Sequence, residues 1–312
     1  MARSTSGTRA STPASRGPGR SWSRRHREGR EPRWTPYLLV LPGWALYALV
    51  VLVPLGATVL ISFTRWDGVS AAEWTGLTNY LHLGQPALRE ALFHAVVLVV
   101  FFSFIPILIG LILAAILASV RIRGIAVFQT VLFLPQVLAS VVVALAWRWI
   151  YAPDGPLNGF LGLVGLGDLA RGWLGSFDFA LPAIGIVGTW VATGLTLILF
   201  LAGIARIPSD LYDAARVDGA SSVREFISIT VPLLRPEIAV ALVLTLIRSL
   251  RSFDLVYNLT QGGPGHATTV PAYEVYRRAF LTGEVGLASA LAVGLTAIIF
   301  AVSLAALRAV QR

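Results

Sequence analysis

The chain predicts an all-α integral membrane protein with six transmembrane helices, and three observations lead there. Of its 312 residues, 56% are hydrophobic and only 13% charged, with a mean hydropathy of +0.73, against roughly 25% charged residues in ordinary soluble domains. Several apolar runs reach the roughly 20 residues that a helix needs to cross a bilayer. The alternating ten-residue segments of a membrane barrel are not visible.

The elements follow in order. Residues 1–35 carry nine arginines and two glutamates among Ser, Gly and Pro. This composition buries too little surface to offset ordering entropy, and it predicts a disordered basic tail. The remainder, 36–312, reads as one transmembrane domain. Its first span, 36–63, is too long for a cleavable signal core and keeps Pro42 and Pro54 as kinks. Further spans are expected at 91–120, 125–150, 179–204, 238–259 and 286–307. They are joined by a polar loop, a tight turn at Arg121-Ile-Arg123-Gly124, a Gly-rich loop, the segment 205–236 and a loop with Gly262-Gly263-Pro264-Gly265.

Arginine counts set the orientation, since topology follows Lys and Arg and not net charge. With the N-terminus inside, the inner segments hold 17 arginines and the outer loops five: Arg65, Arg89, Arg171, Arg277 and Arg278. Both termini and the segment 205–236 are therefore expected in the cytoplasm of a multi-pass cell-membrane protein.

Composition also excludes chemistry. All 25 positive charges are arginine, so neither a P-loop lysine nor a Schiff-base lysine exists, and any ATP hydrolysis belongs to another chain. No cysteine is present, and His26, His82, His94 and His266 lack ligand spacing, so no metal or cofactor is expected. Of the net charge of +9, the tail supplies +7. The excess is therefore no sign of nucleic acid.

The segment 205–236 is a polar, helix-capable island. Ser209 is placed to cap a helix from Asp210, with Asp213 in its first turn and Gly219 as its stop. Ser222-Val-Arg-Glu225 fits a capping box for a second helix, on which Phe226 and Ile229 share a face until Pro232 ends the run. A basic amphipathic hairpin resting on headgroups is the bland reading. Against it, the island balances four arginines with four acids, and Ala214-Ala215 and Ala220 permit close approach by another protein.

Asp213-Ala214-Ala215, Asp218-Gly219-Ala220, Phe226, Ile229 and Pro232 together resemble the EAA loop of permease subunits of binding-protein-dependent ABC importers. The family usually has glutamate where Asp213 stands, one methylene longer. Leu145-Ala-Trp-Arg148-Trp-Ile-Tyr151 with Gly155-Pro-Leu-Asn158 resembles the third-span exit of its carbohydrate-uptake members. Phe253-Asp254-Leu-Val-Tyr-Asn258 through Gly262-Gly263-Pro264 is similar to their fifth-span exit, and Gly286-Leu-Ala-Ser-Ala290 to the start of their sixth span. The resemblance implies the type I importer permease fold, with the island as cytoplasmic coupling helices. It also implies two ATP-binding-cassette ATPase subunits, a second permease subunit, identical or a paralogue, and an extracytoplasmic solute-binding protein that delivers a sugar or sugar derivative.

Charges within a span are costly, and by default they mark function. Arg248, Arg251, Asp254 and Asn258 recur at helical spacing in the fifth span, with Tyr257 and Phe253 beside them. They predict a polar stripe along the substrate path; the alternative is an Arg251–Asp254 ion pair that locks packing. Arg148, between Trp147 and Trp149, reads as snorkelling in an aromatic belt. Two rival functions remain. A secondary transporter driven by an ion gradient needs mid-membrane acids, which the spans almost lack. A membrane-anchored interaction protein leaves the polar stripe unexplained.

Overall fold

A computed structural model describes residues 34–119 and 124–311. The expected disordered tail and the arginines of the 121–123 turn fall outside the described residues. Residues up to Leu52 and residues from Val53 on form two units. In the first, α1 (Thr35–Tyr47) carries Pro36 in its opening turn, where no backbone donor is lost, and continues into a wide turn at Ala48–Leu52.

The second unit opens with α2 (Val53–Ile61) and a two-residue hairpin, β1 (Thr64–Arg65) against β2 (Glu73–Trp74). The hairpin turn is held by Asp67, whose carboxylate accepts from the Val69 and Ser70 amides at 2.9 and 2.7 Å. Those backbone bonds draw its pKa down to about 2. After α3 (Thr78–Leu81), the second predicted span is built from α4 (Pro86–Val99), a π turn at Val100–Phe104 and α5 (Ile105–Ser119). Pro106 is accommodated: Thr189 donates to the Phe101 carbonyl at 2.6 Å and Thr196 to the Pro106 carbonyl at 2.8 Å.

The third predicted span is not continuous. α6 (Ile125–Val137) and α7 (Ser140–Ile150) meet at 101° across Leu138 and Ala139, both extended. Pro135 removes a helical hydrogen bond just before the break. α8 (Pro156–Leu163) follows in the Gly-rich loop, and α9 (Ala180–Ile204) is the central, most buried helix, with α5 and α6 packed on it. A Cβ on Gly110 would collide with the Thr196 hydroxyl, and one on Gly194 with the Leu132 carbonyl. Small residues let these helices cross at close range.

The island forms α10 (Ser209–Val217), α11 (Ser222–Glu225), a π turn at Phe226–Thr230 and α12 (Val231–Leu233). α13 (Arg235–Leu250) then runs back through the bundle, bent by 70° from the segment before it. The predicted fifth span is thus a second broken element: its helix stops at Leu250 and resumes as α14 (Asp254–Leu259). No Gly or Pro marks this break; beyond it α14 packs against α7, a tertiary contact of the kind that competes with helical propensity. α15 (Pro271–Tyr276) and the long α16 (Val285–Gln311) complete the chain. Among the described residues four helical stretches are long and apolar enough to cross a membrane, and up to six if each of two bent pairs, Ile125–Val137 with Ser140–Ile150 and Ser222–Leu233 with Arg235–Leu250, counts as one span.

Candidate functional site

Two sets of predicted residues occupy two different places. In the island, the stop at Gly219 is built as the sequence suggests. Gly219 has φ +76°, the Ala220 amide donates to the Ala215 carbonyl at 2.9 Å, and the Gly219 amide donates to the Arg216 carbonyl at 3.0 Å. This is the paired bond of a left-handed helix stop, which glycine adopts without Cβ strain.

The caps differ from expectation. Pro208 precedes α10 and Ser209 is its first residue, making no capping bond. Ser221, not Ser222, caps α11 by accepting from the Arg224 amide at 3.4 Å. Glu225 is thereby released from the expected capping box and accepts from Arg216 Nε at 3.2 Å, while Arg216 also reaches Asp213 at 3.2 Å. Pro232 does not end the run either: it lies inside α12. The π turn widens the helix ahead of it, with the Val231 amide bonded to Phe226, five residues back.

Asp213, Ala214, Asp218 and Gly219 are exposed, whereas Ala215, Ala220, Phe226, Ile229 and Pro232 are half-buried. Phe226 packs on the cluster of Leu111, Leu197, Phe200 and Leu234, and the Tyr212 hydroxyl bonds that of Thr230 at 2.9 Å. One face anchors the island; the other presents acids and glycine beside Val217 and Val223, 87% and 67% exposed. Such a face has the mixed apolar and charged character of a recognition surface.

The second place is a cavity of about 300 Å³ where the two broken spans meet. Arg248 and Arg251 come from the end of α13 and its cap, Asp254 from the start of α14, and Ser140 from the start of α7; Phe102 and Phe253 add apolar wall. A single helical stripe is not what unites these charges, because the helix ends between Arg248 and Asp254. Arg248 Nη1 donates to Gln136 Oε1 at 2.6 Å, and the Ser140 hydroxyl donates to Asp254 Oδ2 at 3.3 Å. Among the described residues no ion pair joins Arg251 to Asp254, so the packing lock is not formed. Tyr257 and Asn258 do not line the cavity. Tyr257 stacks on Phe253, ring centres 5.2 Å apart, and the Asn258 amide turns back to the Asp254 carbonyl at 2.7 Å.

Gln136 and Ser140 were invisible as site residues; their signal is a polar pair flanking a break next to Pro135. Also missed is a buried network beyond α14. The Glu274 carboxylate accepts two bonds from Arg277, at 2.8 and 2.7 Å, and one from Arg278 at 2.8 Å, and Arg278 continues to Glu284. Burial alone would raise the carboxyl pKa, but the two guanidiniums outweigh it and hold the group below its ordinary value.

With this geometry, residues 96–312 match the family described as binding-protein-dependent transport system inner membrane component. The chain belongs to that family. It is 37% identical to the probable ABC transporter permease protein YurN of Bacillus subtilis, over 86% of this chain and 93% of the relative. It is 34% identical to the trehalose/maltose transport system permease protein MalF of Thermococcus litoralis, over 82% and 87%. A third relative is the sn-glycerol-3-phosphate transport system permease protein UgpA of Yersinia pestis, 31% identical over 92% and 97%. The fold is shared with a bacterial ABC transporter involved in the import of the acidic polysaccharide alginate (TM-score 0.77, 24% identity, 89% of this chain and 96% of that chain). A second solved structure is the alginate transporter in complex with its pentasaccharide-bound periplasmic protein (TM-score 0.74, 23% identity, 88% and 92%). The permease is thus a multi-pass inner membrane transport component, and the importer permease fold read from its loop motifs is the fold it has.

Proposed function

We propose that this permease translocates a sugar or sugar derivative in an ATP-driven importer, with the island as the lever that the ATPases move. The carrying observation is the exposed face of Asp213, Ala214, Asp218 and Gly219, stopped at Gly219 and anchored behind by Phe226. The island, like both termini, lies in the cytoplasm in this reading, on the arginine distribution. Two ATP-binding-cassette subunits receive the coupling helices of this chain and of a second, paralogous permease. An extracytoplasmic solute-binding protein delivers the solute. Sugar and glycerol-phosphate systems among the relatives support the solute class.

ATP closes the ATPase pair, the island follows its socket, and the broken spans reorient around the polar cavity. Each ligand acts only through its differential affinity for the two states. Arg248, Arg251 and Asp254 line the substrate path, with Phe253 as an apolar wall backed by Tyr257. Asp213 is already within reach of Arg216, but an exposed pair of this kind contributes about 0–1 kcal/mol and yields readily to a partner's charge.

Co-purification tests the reading. From mild detergent the wild type is expected to bring down a Walker-containing ATPase, while Asp213→Arg and Gly219→Pro bring down none and lose uptake, with membrane insertion unchanged. Proline holds φ near −65°, far from the +76° of Gly219. Full transport in either variant sinks the docking role.

A further inference from the structure

The cavity between the two broken spans carries a charge imbalance. Two guanidiniums, Arg248 and Arg251, face one carboxylate, Asp254. Neither arginine is ion-paired. Arg248 is held by the neutral amide of Gln136 at 2.6 Å, and Asp254 receives only the Ser140 hydroxyl at 3.3 Å. Arg251 makes no hydrogen bond or ion pair among the described residues. Arg251 is exposed on this chain and follows Arg235 by sixteen residues along α13 and its cap, roughly 24 Å of helix.

A guanidinium offers five donors and no acceptor, whereas a neutral sugar hydroxyl both donates and accepts. The hydroxyls of a neutral glycan can accept from the arginines and donate to Asp254, but they leave one positive charge of the two arginines and one carboxylate unbalanced. The arginines match a planar or tetrahedral oxyanion, which a guanidinium grips through two parallel bonds. Phe253, on the wall of the same cavity and packed by Tyr257, Tyr273 and Tyr276, adds apolar ring surface of the kind against which a pyranose packs.

We infer that the solute carried through this cavity is an anionic sugar, bearing a carboxylate or a phosphate, and that Arg251, supported by Arg248, reads the anion. The inference rests on the transport role proposed above and goes beyond it by fixing the charge of the solute. The exposed side of Arg251 opens onto the surface of this chain. In the assembled transporter the solute's oxyanion, and not an acid of the second permease, is its counter-charge.

The test uses the whole purified transporter in phosphatidylcholine nanodiscs and equilibrium dialysis with three probes of one ring size: glucuronate, glucose 1-phosphate and glucose. The wild type is expected to retain at least one of the two anions about tenfold better than glucose, the increment of one charge-assisted hydrogen-bonded pair. Arg251→Gln should bring that ratio to within about twofold, and Arg251→Lys should keep part of it. Equal retention of glucose by the wild type, retention of none of the three at millimolar concentration, or an unchanged ratio in Arg251→Gln overturns the inference. So does loss of the second permease from Arg251→Gln on gel filtration, which assigns the charge to the subunit interface. Abolition of the preference by phosphatidylglycerol assigns it to a lipid headgroup and overturns it as well. ATPase co-purification is read on the same sample. Its absence fails the importer reading; its presence with equal glucose binding fails only the anion inference.

Discussion

Two arginine–carboxylate clusters of similar chemistry lie in different surroundings. Asp213, Arg216 and Glu225 bridge α10 and α11 with Arg216 and Asp213 side chains 62% and 68% exposed and Glu225 at 12%, whereas Glu274 and Arg278 retain only 3% and 10%. The Arg216–Asp213 pair sits in high dielectric, where a pair contributes about 0–1 kcal/mol and exchanges partners readily. Removing one member of a buried pair leaves an uncompensated charge and costs about 3–5 kcal/mol. The same ion chemistry therefore lies on the face proposed above for docking in one place and in a buried brace in the other. The brace holds a region further tied down by His94 Nδ1, which donates to the Thr269 carbonyl at 2.9 Å.

The largest effect should come from Glu274→Ala, which takes the buried carboxylate from Arg277 and leaves Arg278 only the half-exposed Glu284; it should lower stability by about 3 kcal/mol. Thermal unfolding of the purified complex reads this directly, and a loss under about 1 kcal/mol would erase the contrast between the clusters. Acid gives a second, intermediate effect. Because the Glu274 pKa lies below its ordinary value of 4.5, its stabilisation is complete above about pH 4.5 and declines as pH falls through the lowered folded-state value. A melting profile between pH 6 and 3 should therefore lose an acid limb in Glu274→Gln; an identical limb in the variant would assign it to other groups. The smallest effect is expected for Arg216→Ala, within about 1 kcal/mol of the parent. Its uptake should fall nonetheless, because Asp213 and Glu225 lose the charge that orders them. A large loss of stability would mean that the exposed cluster is structural too.

Much of the island was legible because its signals are local. Gly219 stops α10 through its own backbone freedom, and the residues flanking it sit where the spacing requires. Which serine caps was not legible: Ser209, Ser221 and Ser222 have the same side chain, and the choice of Ser221 depends on where the chain turns. The cavity was legible in its charges but not in its construction. Arg248, Arg251 and Asp254 were found as a helical stripe, yet they meet around a helix break that has no Pro or Gly to announce it. Gln136 and Ser140 join them from another span across more than a hundred residues of sequence, and spacing rules on one helix carry no such information. For Glu274, Arg277 and Arg278 the spacing was in view, but the burial that turns them into a brace was not.

The sequence alone determined what depends on single residues and short periods: the membrane class from hydropathy, the exclusion of a P-loop by the missing lysine, and the helix stop at Gly219. Tertiary structure alone decided where the fifth span breaks, that Arg251 and Asp254 stay apart, and which charges are buried. The physical reason is range. Hydropathy and backbone freedom act within a turn or a span, whereas the break at 251–253 goes with the packing of α14 on α7, a contact between distant segments that local propensity does not encode.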